Sequence, residues 1–146
     1  MAEAKSINFT TKIKSIERIS FSIDELSKDV PIDPEKITFE IGLGLEVKES
    51  EKLVTINSPI QIFSDITKKT RLGSLHVKGG FLIENFAEIR QENGIPTAIV
   101  ATYIGITISA ARGMLCLLSK GTLFENAIIP IVNPTALLQS ANPIKP

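Results

Sequence analysis

Few residues in this sequence are of the types that catalyse reactions or bind metals. His76 is the only histidine and Cys116 the only cysteine, and neither has a catalytic or metal-binding partner at a characteristic spacing. A reactive cysteine needs a neighbour that stabilises its thiolate. Cys116 lies in an apolar stretch, which predicts a small buried hydrophobic residue, and His76 is predicted on the outer face of a strand. We therefore expect no enzyme, no cofactor and no metal site.

Two other features have the residue types of a ligand site. Gly42-Leu43-Gly44 resembles part of a phosphate-binding loop, but it lies in an alternating segment with no helix after it to bind the phosphate. Arg112 is the only charged residue between Thr97 and Ser119. We expect Arg112 to pair with a carboxylate or with carbonyl groups of a neighbouring subunit rather than with a ligand.

Length and charge limit the classes of function. The 146 residues predict a single domain, 1–146, that can bury a sizeable core. Lysine plus arginine and aspartate plus glutamate are both 16, so the formal net charge is zero, which argues against nucleic-acid binding. One cysteine excludes an intrachain disulfide and fits a reducing compartment. Because no signal-peptide pattern begins the sequence, we expect a cytoplasmic protein.

Apolar and polar residues alternate in the first two thirds of the chain, which predicts antiparallel strands with one apolar face. Turn-forming polar residues separate the alternating segments. The predicted strands cover residues 6–23, 37–48, 53–66 and 74–89.

Four residues, at three places in the strands, indicate irregularities. Ile16 breaks the pattern of the first strand, which indicates a bulge, a bend or an apolar contact on the outer face. Pro59 cannot donate a hydrogen bond within a sheet, so it favours an edge or a bulge. Gly79-Gly80 indicate a bulge or a close approach between backbones.

The segment Thr97–Lys120 is nearly all apolar and predicts a long helix. Its uncharged run is shorter than the roughly 18–20 residues that span a bilayer, so we predict a buried helix without membrane insertion. Apolar residues surround the helix axis, which is typical of a helix buried on both sides. Since one sheet covers one side, we expect a homo-oligomer, with an interface formed by Tyr103, Ile106, Ala110, Arg112, Gly113 and Leu117.

A sequence pattern follows the predicted helix. It consists of Gly121-Thr122, an apolar stretch, Pro130, Asn133 and Ala136-Leu137-Leu138. Together with the order of strands and helix, this pattern resembles the SecB family of bacterial protein-export chaperones. The order of elements covers nearly the whole chain, whereas the motif covers residues 121–138 alone.

The resemblance implies an α+β fold with a four-stranded antiparallel sheet, one long helix and a short C-terminal helix, assembled as a dimer of dimers. It also implies an ATP-independent holdase in the bacterial cytoplasm, which binds unfolded polypeptide clients in an apolar groove and serves protein export. The residues expected to form this groove are Phe39, Leu43, Leu45, Phe124, Ile128, Ile129, Ile131 and Leu137.

The resemblance leaves the partners open. SecB proteins contact the translocation ATPase SecA through acidic residues, whereas the polar side of the first strand here carries Lys12, Lys14 and Arg18, which argues against SecA. Some relatives of SecB are dedicated chaperones of toxin–antitoxin systems, so a module that binds one protein is the main alternative. A binder of a small ligand, with an apolar pocket between the sheet and the segment after the helix, is a third.

Overall fold

The computed structural model describes residues 10–24, 32–92 and 94–140, so the predicted start of the first strand at residues 6–9 lies outside the described part. Within these ranges the protein forms five strands and three α-helices, together with short 3-10 turns at Pro34–Lys36 and Glu49–Glu51. The elements are β1 (Thr11–Ile23), β2 (Thr38–Ile41), β3 (Gly44–Lys48), β4 (Leu53–Phe63), β5 (Arg71–Ile83), α1 (Phe86–Ile89), α2 (Thr97–Leu118) and α3 (Pro134–Ser140).

The strands form one antiparallel sheet in the order β1-β5-β4-β2, and β3 also pairs with β4. Strand β1 therefore forms one edge, and β2 and β3 together form the other. The predicted second strand, residues 37–48, is divided at Gly42-Leu43. The predicted fold class is confirmed: an antiparallel sheet is followed by one long helix and a short C-terminal helix.

The break between β2 and β3 lies beside Pro59 of β4. Pairing of β2 with β4 ends at Ile41 and Ile60. The Gly42 amide then donates a hydrogen bond of 2.7 Å to the Pro59 carbonyl, and a Cβ at Gly42 would lie only 2.9 Å from Pro59 Cγ. Glycine permits this close approach. Pro59 had indicated an edge strand or a bulge. Strand β4 is an inner strand, and the irregularity lies beside Pro59, at the gap between β2 and β3.

Strand β1 is irregular on both sides of Ile16, where its register with β5 shifts twice. Ile16 and Phe21 pack against the core, whereas Ile13, Ile19 and Ile23 are 48–56% exposed. A bulge changes which residues face each side of a strand. Of the alternatives that Ile16 left open, the structure supports an irregularity of the strand on both sides of it, and the odd-numbered residues do not form one continuous buried face.

Helix α2 packs closely on the sheet. Tyr103 is fully buried and stacks on Phe81 with ring centroids 4.2 Å apart, and its hydroxyl shares a 2.6 Å hydrogen bond with the Thr11 hydroxyl. A Cβ at Gly79 would lie 2.5 Å from Thr107 Oγ1 of the helix. The sheet backbone is therefore closely approached at Gly79, as the glycine pair indicated, but the group that approaches it is a side chain of the helix and not another backbone.

Two predicted strands end earlier than the sequence indicated. Strand β4 stops at Phe63, and Ile66, which the alternation placed in the strand, is 83% exposed. The backbone amide and the hydroxyl of Thr67 both donate hydrogen bonds to the Asp65 carboxylate. These bonds hold the pKa of Asp65 below its usual value and form a local turn in place of the sheet ladder. Strand β5 ends at Ile83, before α1.

Candidate functional site

The segment between α2 and α3, residues 119–133, returns along the helix; we name it the crossing. Gly121 has φ of +79°, a conformation that glycine adopts without the steric cost of a Cβ. At the other end, the Asn133 side chain accepts hydrogen bonds from the amides of Thr135 and Ala136 at 3.0 and 3.2 Å. It caps α3. Gly121 and Asn133, two motif residues, therefore set the two ends of the crossing.

One side of the crossing belongs to the core. Phe124, Ala127 and Ile129 are 1–5% exposed. The Phe124 ring meets Phe21 of β1 edge to face, with centroids 6.3 Å apart, and it lies so close to Gly73 that a Cβ there would be 3.1 Å from Phe124 Cζ. These contacts fix the crossing against the β1–β5 part of the sheet.

The other side of the crossing is apolar and open to solvent. Leu123, Ile128 and Ile131 are 54%, 64% and 94% exposed. A single exposed apolar residue is ordinary in a soluble protein, whereas a concentration of them marks a binding surface. This segment therefore has a buried row that stabilises the fold and an exposed row that is free to bind.

Arg112 of α2 ties the crossing to the helix. Its Nε donates to the Ile129 carbonyl at 2.7 Å and its Nη2 donates to the Pro130 carbonyl at 2.9 Å. The sequence placed the partner of Arg112 in a neighbouring subunit. The structure shows two carbonyl partners in its own chain, which hold the crossing in position, and a contact of Arg112 with a neighbouring subunit stays a prediction.

A cleft of about 500 Å³ lies between α2 and residues 131–134 of the chain; we name it the α2 cleft. This volume is within the usual range for ligand sites. Most of its lining is apolar, and its polar side chains are those of Thr102, Ser109 and Arg112. The apolar lining comprises Gly105, Ile106, Ile108, Ile131, Val132 and Pro134.

A smaller recess of about 300 Å³ lies beside the start of α2. Val47, Phe86 and Ile95 are among its lining residues, and the carboxylate of Glu49 pairs with the guanidinium of Arg90 at 2.5 Å. Both charged side chains are about half exposed, and such pairs stabilise a protein little. Because its two charged side chains already pair with each other, this recess is a weaker candidate for a ligand site than the α2 cleft.

The predicted groove residues occupy three kinds of position. Phe124 and Ile129 are buried in the core, Ile128 and Ile131 are exposed, and Leu137 is half-buried against the core. Of these, Ile131 lines the α2 cleft. Phe39, Leu43 and Leu45 are half-buried in the region of β2 and β3, at the sheet edge opposite β1. That all of them form one groove stays a prediction.

Sequence reasoning missed several residues of the α2 cleft. Thr102 and Ser109 belong to the cleft although neither is apolar, and Val132 and Pro134 close it from the other side. The helical spacing was a signal that could have found part of the set. Residues three or four apart share one helix face, and Thr102, Gly105, Ser109 and Arg112 follow that spacing.

Among the predicted interface residues, Tyr103 is buried within its own chain. Ile106, Ala110 and Arg112 are half-buried, whereas Gly113 and Leu117 are exposed. The side of α2 that faces away from the sheet is therefore open in a single chain, and its contact with another copy stays a prediction.

Two further predictions concern α2. Cys116 is exposed, which corrects the prediction that it is buried, because it lies on the side of α2 away from the sheet. Helix α2 is long and apolar enough to cross a membrane by length and composition alone. However, the side of α2 that faces the sheet, with Tyr103 and Ile104, packs in the core.

Two polar contacts on the sheet join neighbouring parts of the chain. His76 Nε2 lies 3.2 Å from Asn57 Oδ1 on the neighbouring strand. Lys12 pairs with Glu84 at 2.8 Å, and this contact raises the pKa of the lysine. In the part of the chain that the structure describes, no three histidine, cysteine or acidic side chains come together in a way that could hold a metal ion.

Comparison with known proteins identifies the fold but no sequence family. No protein-family model matches the chain, and no curated protein sequence matches it. The fold is similar to that of a SecB-like chaperone from Mycobacterium tuberculosis, whose structure contains a peptide from an antitoxin; the TM-score is 0.56 at 8% identity, over 84% of this chain and 89% of that chain. A protein of unknown function from Streptococcus agalactiae aligns with a TM-score of 0.43 at 11% identity, over 86% of this chain and 99% of that chain. The alignment with the chaperone shows that the fold is SecB-like.

Proposed function

We propose that this protein is an ATP-independent holdase that binds non-native polypeptide segments on the exposed side of the crossing and in the α2 cleft. The observation that carries the proposal is Ile131, which is 94% exposed and lines the apolar cleft. Ile128 extends the same exposed apolar row. A SecB-like chaperone of the same fold, in complex with an antitoxin peptide, supports a role in polypeptide binding.

The chemistry of this surface suits unfolded chains of varied sequence. Removing apolar side chains from water is favourable and has no directional requirement. An extended segment can therefore place alternate side chains against the crossing and in the cleft with little dependence on their identity. Because Arg112 and the buried Phe124 hold the crossing in place, the client meets a formed surface.

Suppression of aggregation tests this proposal. A chemically denatured protein is diluted into buffer with stoichiometric amounts of the natural chain, and light scattering is followed with and without ATP. We expect less scattering, to the same extent in both conditions. Scattering equal to that of a control with an inert protein would refute the holdase proposal.

A dedicated chaperone for one protein is the second candidate. It is favoured by the antitoxin peptide that the structurally similar chaperone binds. Binding measured against a panel of unrelated unfolded proteins separates the two candidates. Comparable affinity for most of the panel supports a general holdase, whereas binding of one partner from the source organism alone supports the dedicated form.

The proposal also includes assembly and location. The open side of α2, with Ala110, Gly113 and Leu117, is the surface that we propose for contact with a second copy, in a dimer or tetramer in the bacterial cytoplasm. Multi-angle light scattering of the natural chain and of Leu117→Glu measures this assembly. An export role with SecA is the less favoured form, because Lys14 and Arg18 place cations on β1 where an acidic surface would be needed.

A further inference from the structure

We infer that the α2 cleft selects client segments that carry a carboxylate next to apolar side chains. This inference rests on the proposed function and specifies which segments of a client the cleft prefers. It follows from the charge and the hydrogen-bonding groups of the cleft, taken together with its apolar walls.

Among the residues that the structure describes, Arg112 is the only charged one that lines the α2 cleft. Two of its N–H groups are donated to the Ile129 and Pro130 carbonyls, and a guanidinium has five. Its contacts within the described ranges are to neutral carbonyls, and the ion pairs of those ranges do not include it. The cleft therefore presents a positive charge without a negative partner, with N–H donors to spare.

One of the two hydroxyl groups of the cleft can also donate a hydrogen bond to a carboxylate. Thr102 donates its hydroxyl proton to the Ala98 carbonyl, and the Ser109 hydroxyl lies on the exposed side of α2. A serine hydroxyl can donate to an oxygen anion. An amine ligand would meet the positive charge of Arg112, whereas a carboxylate would meet that charge and a further donor.

The position of Arg112 also suits a carboxylate. Arginine and carboxylate form two parallel hydrogen bonds, which are stronger than bonds between neutral groups. Because the crossing carbonyls already hold the Arg112 side chain, less conformational freedom is lost when a ligand binds. The adjacent Ile106 and Ile131 can then contact an apolar side chain next to the carboxylate in the client.

Charge complementarity favours a client segment over a second copy of α2 in this cleft. Helix α2 contains no aspartate or glutamate, and its one charged residue is Arg112 itself. Packing two copies of the helix cleft to cleft would bring positive charges together without an acid between them. A client segment with an aspartate or glutamate supplies the missing negative charge.

Two labelled ten-residue peptides test the inference by fluorescence anisotropy. They are apolar, amidated at the C-terminus and identical except for a central glutamate in one and glutamine in the other. We expect the natural chain to bind the glutamate peptide about tenfold more tightly, as one well-formed, partly solvated charge pair would give. Equal affinity for the two peptides would overturn the inference and leave the proposed function standing.

Variants of the protein separate a contact from a structural effect. Arg112→Gln should reduce the affinity ratio of the two peptides to about one, and Arg112→Lys should restore part of it. If Arg112→Gln only loosened the crossing, the affinity for both peptides would fall by the same factor and the ratio of the two affinities would stay unchanged. That outcome counts against the inference. Lys120→Gln, which removes a cation near the end of α2 and outside the cleft lining, is the matched control and should keep the ratio. Failure of both peptides to bind the natural chain, with no suppression of aggregation, would reject the proposed function itself.

Discussion

Replacing Ile131 by serine tests whether the exposed side of the crossing binds clients. Ile131 is 94% exposed, so its side chain contributes little to the packing of the folded chain. Surface substitutions of this kind change the free energy of unfolding by about 0.5 kcal/mol or less. We therefore expect Ile131→Ser to fold and to unfold in urea at nearly the same midpoint as the natural chain.

The effect on client binding should be much larger. Full burial of an isoleucine side chain contributes about 1.5–3 kcal/mol, and a client that covers most of Ile131 gains the greater part of this. A loss of about 1–2 kcal/mol corresponds to a factor of about 5–30 in an equilibrium constant. Ile131→Ser should therefore raise the dissociation constant of an apolar peptide by about that factor.

Fluorescence anisotropy with one apolar peptide, alongside urea unfolding of each variant, makes the comparison. Ile66→Ser is the matched control. Ile66 is 83% exposed, but it lies in the turn between β4 and β5 and lines neither the α2 cleft nor the smaller recess. Ile66→Ser should bind the peptide like the natural chain. The reasoning fails if Ile131→Ser binds with unchanged affinity, or if both variants lose affinity equally.

Three substitutions in the core test the packing that supports this surface. Gly79→Ala places a Cβ 2.5 Å from Thr107 Oγ1 and should reduce the free energy of unfolding in urea by about 1–3 kcal/mol; an unchanged midpoint would contradict the close approach. Phe124→Ala should cost about 3–5 kcal/mol in the same measurement, and a loss below about 1 kcal/mol would mean that the crossing is not packed as described. Burial raises the pKa of Tyr103, so the folded state holds this proton more tightly than the unfolded chain does. The stability it contributes is complete below the ordinary value of 10.0 and is lost as the pH rises through the higher folded pKa; Tyr103→Phe should remove this loss from thermal melts between neutral and alkaline pH, and identical profiles would refute it.

Much of the fold could be predicted from local patterns. Alternation predicted the strands that became β1, β4 and β5, and the apolar segment that begins at Thr97 predicted the long helix. The pair Gly79-Gly80 was also a local signal, since glycine inside a strand indicates a bulge or a position where another group approaches the backbone closely. These predictions succeed because the period of apolar residues is a property of the single element.

The limits of the elements were harder to predict, because local contacts compete with the sheet. Asp65 ends β4 by binding Thr67, and the Gly42-Leu43 step divides a segment whose alternation continues without a break. Alternation alone does not show where a turn or a gap interrupts the ladder of hydrogen bonds. In β1, the shifts around Ile16 alter which residues face the core.

The sequence by itself determined the types and order of the long elements and the presence of an apolar segment after the long helix, but it did not predict α1 or the division into β2 and β3. Only the tertiary structure decided which side of that segment is buried, so that Phe124 stabilises the core while Ile131 is free to bind. It also decided that Arg112 binds carbonyls 17 and 18 residues away in its own chain, and that Cys116 is exposed. The physical reason is that exposure and hydrogen-bond partners depend on the elements that pack around a residue, and an irregular segment has no period from which its path can be predicted.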